Sequence, residues 1–325
     1  MNTVSDIIID LPDTAVAGVA GGAPAQAGLA PALSAVRARA TDLYELTKPR
    51  MNFLVVVTTM VGFFMASRGT STDWALLLHT LVGTALAAAG ASVLNQYIER
   101  GFDGQMRRTA NRPLPAGRIA PLEALCFGVG LSAGGAFYLS AFVNGLTATL
   151  GVITIATYVF LYTPMKRWTT LCTVVGAVPG AIPPLMGWSA AADALPAQAW
   201  ALFGILFFWQ MPHFLAIAIL YRDDYAAGGF KMLPVVDEGL VATGRQMLLY
   251  GLALIPVSLM PVLLRMAGPI YFVAAVVLGV AFLGFGLACA LRKTRTDARQ
   301  MFFASIVYLP LLLAVLMVDK TGGAW

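Results

Sequence analysis

The chain has 325 residues, of which 59% are hydrophobic and only 11% are charged, and its mean hydropathy is +0.78. Soluble domains carry about a quarter charged residues, so this composition excludes an ordinary globular enzyme, a coiled coil and a disordered scaffold. The apolar residues come in runs of about 20, the length that a helix needs to cross a hydrocarbon core of ~30 Å. We therefore predict an all-α, polytopic membrane bundle. The net charge of +5 reflects membrane topology in this interpretation, and we expect no nucleic-acid partner.

Residues 1–45 differ in composition from the rest of the chain, because they are rich in Ala, Gly and Pro. They contain no basic segment followed by an apolar core, which argues against a secretory signal. They also lack the early Arg-rich, acid-poor character of a transit peptide. We predict a disordered cytoplasmic tail over residues 1–45 and a membrane domain over residues 46–325.

Nine apolar spans follow the tail. They cover residues 52–67, 75–98, 122–142, 146–163, 169–190, 199–220, 247–265, 269–291 and 301–318. If the tail is cytoplasmic, 18 of the 21 Lys and Arg residues fall on the cytoplasmic side of this arrangement. The positive-inside rule predicts such a bias. We therefore expect nine transmembrane helices in a bacterial inner membrane, with a cytoplasmic N-terminus and a periplasmic C-terminus.

The second span runs on into a polar helix end that carries oxygen-bearing side chains. Asn95, Glu99 and Asp103 are spaced four residues apart, which places them on one stripe of a helix. Such a stripe suits Mg²⁺, which takes one or two carboxylates and completes its shell with water and phosphate. Three arginines suited to phosphate oxygens follow at once: Arg107, Arg108 and Arg112. The alternative is a solvated helix end whose acids pair with neighbouring arginines.

The sixth span also ends in acidic residues, Asp223 and Asp224, where its helix leaves the bilayer. Acids at two helix ends, with basic residues around them, can hold a diphosphate through metal ions. Mg²⁺ and basic side chains stabilise the negative charge that develops on a departing diphosphate. The membrane setting predicts that the rest of the substrate is a lipid.

Inside the same span lie three further candidates, Trp209, Gln210 and His213. A buried His and a buried Gln are costly in a membrane helix, so they indicate a functional site. The alternative is an interhelical hydrogen bond that holds a Pro-kinked helix.

Several segments of the chain resemble the UbiA superfamily of intramembrane prenyltransferases. The likeness extends from L-T-K-P-R at residues 46–50 to the last span. Its most specific pieces are N-Q-Y-I-E-R-G-F-D, R-T-A-N-R-P-L-P-A-G, Y-T-P-M-K-R, G-A-I-P-P-L-M-G-W, W-Q-M-P-H-F and D-Y-A-A-G-G-F-K-M-L-P-V-V. The last three are similar to the branch that farnesylates haem rather than to the quinone or chlorophyll branches. The resemblance implies a nine-helix bundle with cytosolic cap loops, in which a Mg²⁺-bound isoprenyl diphosphate sits between two acidic motifs.

The resemblance also implies roles for particular residues. The metal ligands that it implies are Asn95, Glu99, Asp103 and Asp224, with Asp223 beside them. The diphosphate contacts that it implies are Arg50, Arg112, Lys166 and Arg167, and Arg107 and Arg108 are added because they directly follow the acidic stripe. The haem contact that it implies is His213, and Trp209 and Gln210 of the same segment are further candidate haem contacts. The chain departs from the family pattern where Gly101 replaces an acid, where Asp223 replaces a basic residue, and where Gly228 replaces a later acid.

We therefore expect a Mg²⁺-dependent transfer of a farnesyl group from farnesyl diphosphate to a vinyl group of haem b, with water addition giving haem O. The expected partners are the isoprenyl diphosphate, haem b, the lipid bilayer, and haem A synthase or oxidase assembly proteins. One alternative is prenylation of an aromatic quinone precursor by the same fold. Another is a membrane transporter or haem-binding protein, although transporters place their coupling charges near the bilayer midplane.

Overall fold

The computed structural model of the protein describes residues 25–67 and 72–321, so residues 1–24 of the predicted tail lie outside the described residues. Within these two ranges the regular structure is helical, apart from an isolated bridge between Ala267 and Lys320. The first helices are α1 Ala25–Leu46, α2 Pro49–Ala66, α3 Trp74–Asp103, α4 Pro121–Phe142, α5 Gly145–Ala156, a π-helical turn Thr157–Tyr162 and α6 Thr163–Met165. The others are α7 Cys172–Ala181, α8 Pro183–Ala192, α9 Ala197–Leu220, α10 Arg222–Ala227, α11 Leu233–Val236, α12 Val241–Leu263, α13 Pro269–Arg292 and α14 Arg295–Val318.

Nine helical segments of the described residues are long and apolar enough to cross a membrane. They confirm the predicted all-α, nine-span bundle. The fourth span runs over Gly145–Met165 and the fifth over Cys172–Ala192. Three predicted ends move by five or six residues, because α3 continues to Asp103, α12 begins at Val241 and α14 begins at Arg295. Each extension contains charged or polar residues that interrupt the apolar run, so a search for apolar runs ends before it.

Helix α1 covers Ala25–Leu46, where the sequence predicts a disordered tail. The segment is rich in alanine, the residue with the best helix propensity, which accounts for the difference. A boundary between two compact units falls inside this helix, between Ala40 and Thr41. In the second unit, Leu46 is fully buried and belongs to the same apolar cluster as Val93 of α3.

Glycines allow close approach of several membrane helices. A Cβ atom added to Gly135 of α4 would lie 2.6 Å from the backbone nitrogen of Ala87 on α3. One added to Gly187 of α8 would lie 1.8 Å from the Thr59 carbonyl oxygen on α2. In lipid the hydrophobic effect drives little association between helices, so close backbone contacts of this kind supply much of the packing energy. The Gly135 contact fixes the distance between α4 and α3, and the Gly187 contact fixes the distance between α8 and α2.

The fourth and fifth spans depart from regular α-helical geometry. The fifth is divided at Ile182, immediately before Pro183 and Pro184, where the missing proline N–H groups interrupt the helical hydrogen bonds. The fourth contains the π-helical turn Thr157–Tyr162. Such turns are rare and often occur at functional sites. Here the turn lies directly before the polar residues that end the span.

The far end of the bundle is held by the last residues of the described chain. Lys320 Nζ donates hydrogen bonds to the carbonyl oxygens of Phe64 and Ser67, at 2.6 and 2.7 Å. Asp319 Oδ2 accepts a hydrogen bond from the backbone N–H of Tyr271 at 2.7 Å. These contacts join the end of α14 to the end of α2 and to the start of α13.

Candidate active site

The first acidic motif is buried at the end of α3. Asn95, Glu99 and Asp103 are exposed by 1%, 5% and 1%, respectively. The helix continues without a break through all three residues, which therefore share one stripe as predicted. The stripe is buried within the protein and is not a solvated helix end.

Each of the three motif residues contacts one basic side chain. The contacts are Lys48 Nζ to Asn95 Oδ1 at 2.9 Å, Lys166 Nζ to Glu99 Oε1 at 2.7 Å, and Arg112 Nη1 to Asp103 Oδ2 at 2.7 Å. The three cations come from the segment between α1 and α2, the end of the fourth span, and the segment between α3 and α4. Arg112 and Lys166 were predicted to lie here, and the pairing of Asp103 with an arginine is the contact that the alternative interpretation expected. Lys48 was not predicted as a site residue, although it lies in the L-T-K-P-R segment.

The two lysines of this cluster differ in their pKa values. Burial, and then the neighbouring Arg112 charge, lower the pKa of Lys48 to about 7. Burial also opposes the charge of Lys166, but the Glu99 carboxylate outweighs it and raises the pKa of Lys166 above its ordinary value. Glu99 therefore favours the charged form of Lys166, whereas burial disfavours the charged form of Lys48.

Two amide side chains connect the motif to other helices. Asn95 Nδ2 donates to Thr163 Oγ1 at 3.0 Å, directly after the π-helical turn. Gln96 Nε2 donates to the carbonyl oxygen of Leu46 at the end of α1, at 2.7 Å. Both amides are buried, so these hydrogen bonds fix the rotation of α3 relative to its neighbours.

The second acidic motif lies in a separate cavity of about 440 Å³. Asp223 and Asp224 lie in the first turn of α10 and line this cavity together with Arg107 and Arg295. Arg295 Nη2 donates to the Leu220 carbonyl at the end of α9, at 3.0 Å. The cavity thus combines two carboxylates with two guanidinium groups. Arg295 was not predicted, because it lies beside an apolar span far away in the sequence.

The remaining basic residues that were predicted as diphosphate contacts are described here relative to the two acidic motifs. The Arg108 guanidinium is 4.8 Å from the Tyr221 ring centroid and 5.3 Å from that of Tyr225, next to the second motif. The Arg167 guanidinium is 4.2 Å from the Phe102 ring centroid. Arg167 also lines a cavity of about 90 Å³ with Glu99. Arg50 is exposed in the first turn of α2.

An apolar cluster lies between the two motifs. Met106 and Phe230 are buried in it, with Phe102 and Tyr225 packed against them. The Lys231 backbone N–H donates to the Lys166 carbonyl at 2.7 Å. Hence the segment after α10 packs onto the end of the fourth span, and the two motifs belong to one face of the bundle.

The chemistry of these donors fits a magnesium ion that is shared with a phosphate ligand. In the part of the chain that the structure describes, no three His, Cys, Asp or Glu side chains form a group that could hold a metal ion. Mg²⁺ needs no such group, because it binds one or two carboxylates together with water and substrate phosphate. Glu99 Oε1 is buried and receives no hydrogen bond of good geometry, even from the ammonium 2.7 Å away. Its partner in this structure is the Lys166 ammonium, and a metal ion bound at Glu99 would replace that ion pair.

The polar residues of α9 make interhelical hydrogen bonds. Gln210 Nε2 donates to the Ala177 carbonyl at 2.7 Å, and Trp209 Nε1 donates to the Ser305 carbonyl at 2.9 Å. His213 Nδ1 is 2.6 Å from Ser305 Oγ, and its ring stacks against Trp209 with 5.2 Å between centroids. These are the interhelical hydrogen bonds that the alternative interpretation of the span expected.

The same contacts leave one nitrogen of His213 for another partner. Ser305 Oγ donates to the Phe302 carbonyl at 2.5 Å, so it accepts a hydrogen bond from His213 Nδ1. This pattern assigns the proton to Nδ1 and leaves Nε2 unprotonated. His213 is only half-buried, and its Nε2 can contact a ligand while Nδ1 stays bound to α14.

Comparison with known proteins agrees with this architecture. The sequence model of the UbiA prenyltransferase family matches residues 55–307. The chain is 48% identical over 289 residues to the protoheme IX farnesyltransferase of Solibacter usitatus. The aligned region covers 86% of this chain and 99% of that protein.

Two solved structures share the fold. One, described as digeranylgeranylglyceryl phosphate synthase, has a TM-score of 0.71 at 16% identity, covering 86% of this chain and 98% of that one. The other is a UbiA homolog from Archaeoglobus fulgidus bound to GPP and Mg²⁺. Its TM-score is 0.59 at 16% identity, covering 85% of this chain and 99% of that one.

Proposed function

Because this chain belongs to the UbiA prenyltransferase family, we propose that it transfers a farnesyl group from farnesyl diphosphate to a vinyl group of haem b, giving haem O. The observation that carries the proposal is the 48% identity to a protoheme IX farnesyltransferase along almost the whole of that relative. Further relatives of the same name are 43% and 44% identical. The names of these relatives do not favour an aromatic quinone precursor as the acceptor.

We propose that Mg²⁺ is bound by Asn95, Glu99 and Asp103, with Asp224 and Asp223 on the facing motif. The oxygen donors, and the buried Glu99 Oε1 that has an ion-pair partner but no hydrogen bond of good geometry, support this assignment. A related UbiA homolog binds GPP and Mg²⁺ together. When bound, Mg²⁺ neutralises the negative charge that builds up on the leaving diphosphate.

The basic residues of the first motif have two successive partners in this proposal. Without substrate, Lys48, Lys166 and Arg112 contact the motif oxygens. With diphosphate and metal bound, the carboxylates would hold the metal and the cations would hold phosphate oxygens. Arginine and lysine in a site that excludes water stabilise such developing charge strongly. Arg107, Arg108, Arg167 and Arg50 are the remaining diphosphate contacts that we propose.

The transfer itself requires a dry site and a correctly placed acceptor. The bond between farnesyl C1 and the diphosphate oxygen breaks, and its electron pair leaves with the diphosphate. A carbon–carbon bond forms to one vinyl carbon, water adds to the other, and the water proton is lost to diphosphate or solvent. Water must not reach the farnesyl cation first, so apolar walls are part of catalysis. Trp209, Gln210 and His213 are the proposed haem contacts, with His213 Nε2 facing the acceptor.

We place this chemistry at the cytoplasmic side of a bacterial inner membrane, with the N-terminus in the cytoplasm and the C-terminus in the periplasm. The support is the distribution of 18 of the 21 basic residues on that side of the nine spans. Farnesyl diphosphate is charged at one end and apolar along its tail, so its head can bind at the loops while its tail lies among the helices. The product would pass to haem A synthase or oxidase assembly proteins.

The experiment is incubation of the purified protein with haem b, farnesyl diphosphate and Mg²⁺, followed by mass spectrometry of the haem. We expect haem O from the wild type and none from Asp103→Asn. The matched control is Asp42→Asn, because Asp42 pairs with Arg118 away from the motif. A well-folded protein that yields no prenylated haem, but prenylates an aromatic quinone precursor, would establish the alternative.

A further inference from the structure

In the fourth span, Thr163 directly follows the π-helical turn and directs two hydrogen-bond donors back into it. The backbone N–H of Thr163 donates to the Tyr158 carbonyl, five residues earlier. The Thr163 hydroxyl donates to the same carbonyl at 2.8 Å. In an α-helix the N–H would bond to the carbonyl of residue 159 instead. The π register therefore directs both donors of Thr163 to one oxygen.

The amide of Asn95 lies between two groups whose hydrogen-bonding roles are fixed. Its Nδ2 is 3.0 Å from Thr163 Oγ1, and its Oδ1 is 2.9 Å from Lys48 Nζ. The single hydroxyl proton of Thr163 is used on a carbonyl, which only accepts, so Oγ1 must accept from the amide NH₂. In its charged form the Lys48 side chain only donates, so it faces the amide oxygen. Two independent contacts thus assign the same orientation of the amide.

We propose that Thr163 is a positioning residue that holds the Asn95 amide with its oxygen towards the metal-binding side of the site. This inference rests on the proposed function, in which Asn95 Oδ1 is a magnesium ligand. An amide turned by half a rotation would present its NH₂ group, which repels a cation. Thr163 is only 2% exposed, so solvent cannot replace its hydroxyl. Thr163 acts on the metal through Asn95 and does not touch it.

The test measures metal binding without turnover. The full-length protein in detergent is titrated with Mn²⁺ in the presence of inorganic pyrophosphate, and bound Mn²⁺ is followed by electron paramagnetic resonance. Thr163→Val keeps the shape of the side chain and removes its hydroxyl. We expect its Mn²⁺ affinity to fall about tenfold or more, which is typical when an outer partner of a metal ligand is lost. Thr163→Ser keeps the hydroxyl and should bind Mn²⁺ nearly as the wild type does.

A second threonine of the same span provides the control. Thr154 Oγ1 donates to the Leu150 carbonyl at 2.8 Å, within the regular helix α5. Thr154→Val removes an equivalent hydroxyl and should leave Mn²⁺ binding unchanged. In turnover, Thr163→Val should raise the Mg²⁺ concentration for half-maximal rate more than it lowers kcat at saturating Mg²⁺.

The outcomes separate this inference from the proposed function. Wild-type Mn²⁺ affinity in Thr163→Val, or an equal loss in Thr163→Ser, would overturn the positioning role alone. A wild-type protein that binds no Mn²⁺ with pyrophosphate would overturn the metal site and the inference with it. If Thr163→Val does not fold, Thr163→Ala is used in its place, and its Mn²⁺ affinity supports or overturns the positioning role by the same criteria.

Discussion

Removing either partner of the Lys166–Glu99 ion pair should destabilise the protein much more than removing both. The Lys166 and Glu99 side chains are 11% and 6% exposed, and the charged atoms are 2.7 Å apart. At an effective dielectric constant of about 20, charges at this distance attract by about 6 kcal/mol. Desolvation of both groups offsets most of that attraction, whereas deleting one partner leaves the other charge buried and unpaired, at a cost of about 3–5 kcal/mol.

A double-mutant cycle measures this difference. Lys166→Met and Glu99→Gln should each lower the free energy of unfolding by about 3 kcal/mol or more. The double variant buries no unpaired charge, so we expect it to recover much of that loss and to give a coupling energy of about 3 kcal/mol. Unfolding is followed in mixed detergent micelles without metal or diphosphate, so that the site keeps the contacts described above.

The exposed contact between Arg118 and Glu45 is the control for this cycle. Its atoms are 3.4 Å apart, and the two side chains are 41% and 50% exposed. Exposed pairs contribute at most about 1 kcal/mol, so the coupling energy of Arg118→Met with Glu45→Gln should be small. Additive effects of Lys166→Met and Glu99→Gln, with a coupling below about 1 kcal/mol, would refute the ion-pair reasoning.

Three further predictions concern packing, a helix start and metal binding. Gly135→Ala should lower the free energy of unfolding by on the order of 3 kcal/mol, because its Cβ atom would meet the α3 backbone at 2.6 Å. Gly134→Ala is the control and should not destabilise the protein, because a Cβ atom at Gly134 meets no other atom within 4 Å. Thermal unfolding of both variants checks this prediction. Partial burial opposes ionisation of Asp237, but hydrogen bonds from Thr243 outweigh it and lower the Asp237 pKa. Asp237→Asn should therefore cost about 1 kcal/mol at pH 7, and almost nothing once the pH falls below that lowered pKa, as seen in unfolding curves at several pH values. In calorimetry, Mn²⁺ and pyrophosphate should each bind at least about fivefold more tightly in the presence of the other; independent affinities would contradict this coupling.

The sequence predicts well those features that depend on neighbouring residues. The nine spans follow from the length of the apolar runs, and the stripe of Asn95, Glu99 and Asp103 follows from helical spacing. The missed residues depend on contacts between distant segments. Lys48 meets Asn95 across 47 positions, and Ser305 meets His213 across 92. No local pattern marks such contacts, and the π-helical turn also has no signal in composition.

The geometry of the first motif explains why its metal and its diphosphate should bind together. Glu99 and Asp103 are both buried, and burial of an unpaired carboxylate is costly. Lys166 and Arg112 remove that cost in the substrate-free protein by contacting the carboxylates. A metal ion arriving alone would displace these cations and leave their charges unpaired, and a diphosphate arriving alone would leave the carboxylates unpaired. When the two arrive together, every charge has a partner again. The ion pairs that stabilise the empty site therefore also oppose the binding of either ligand by itself.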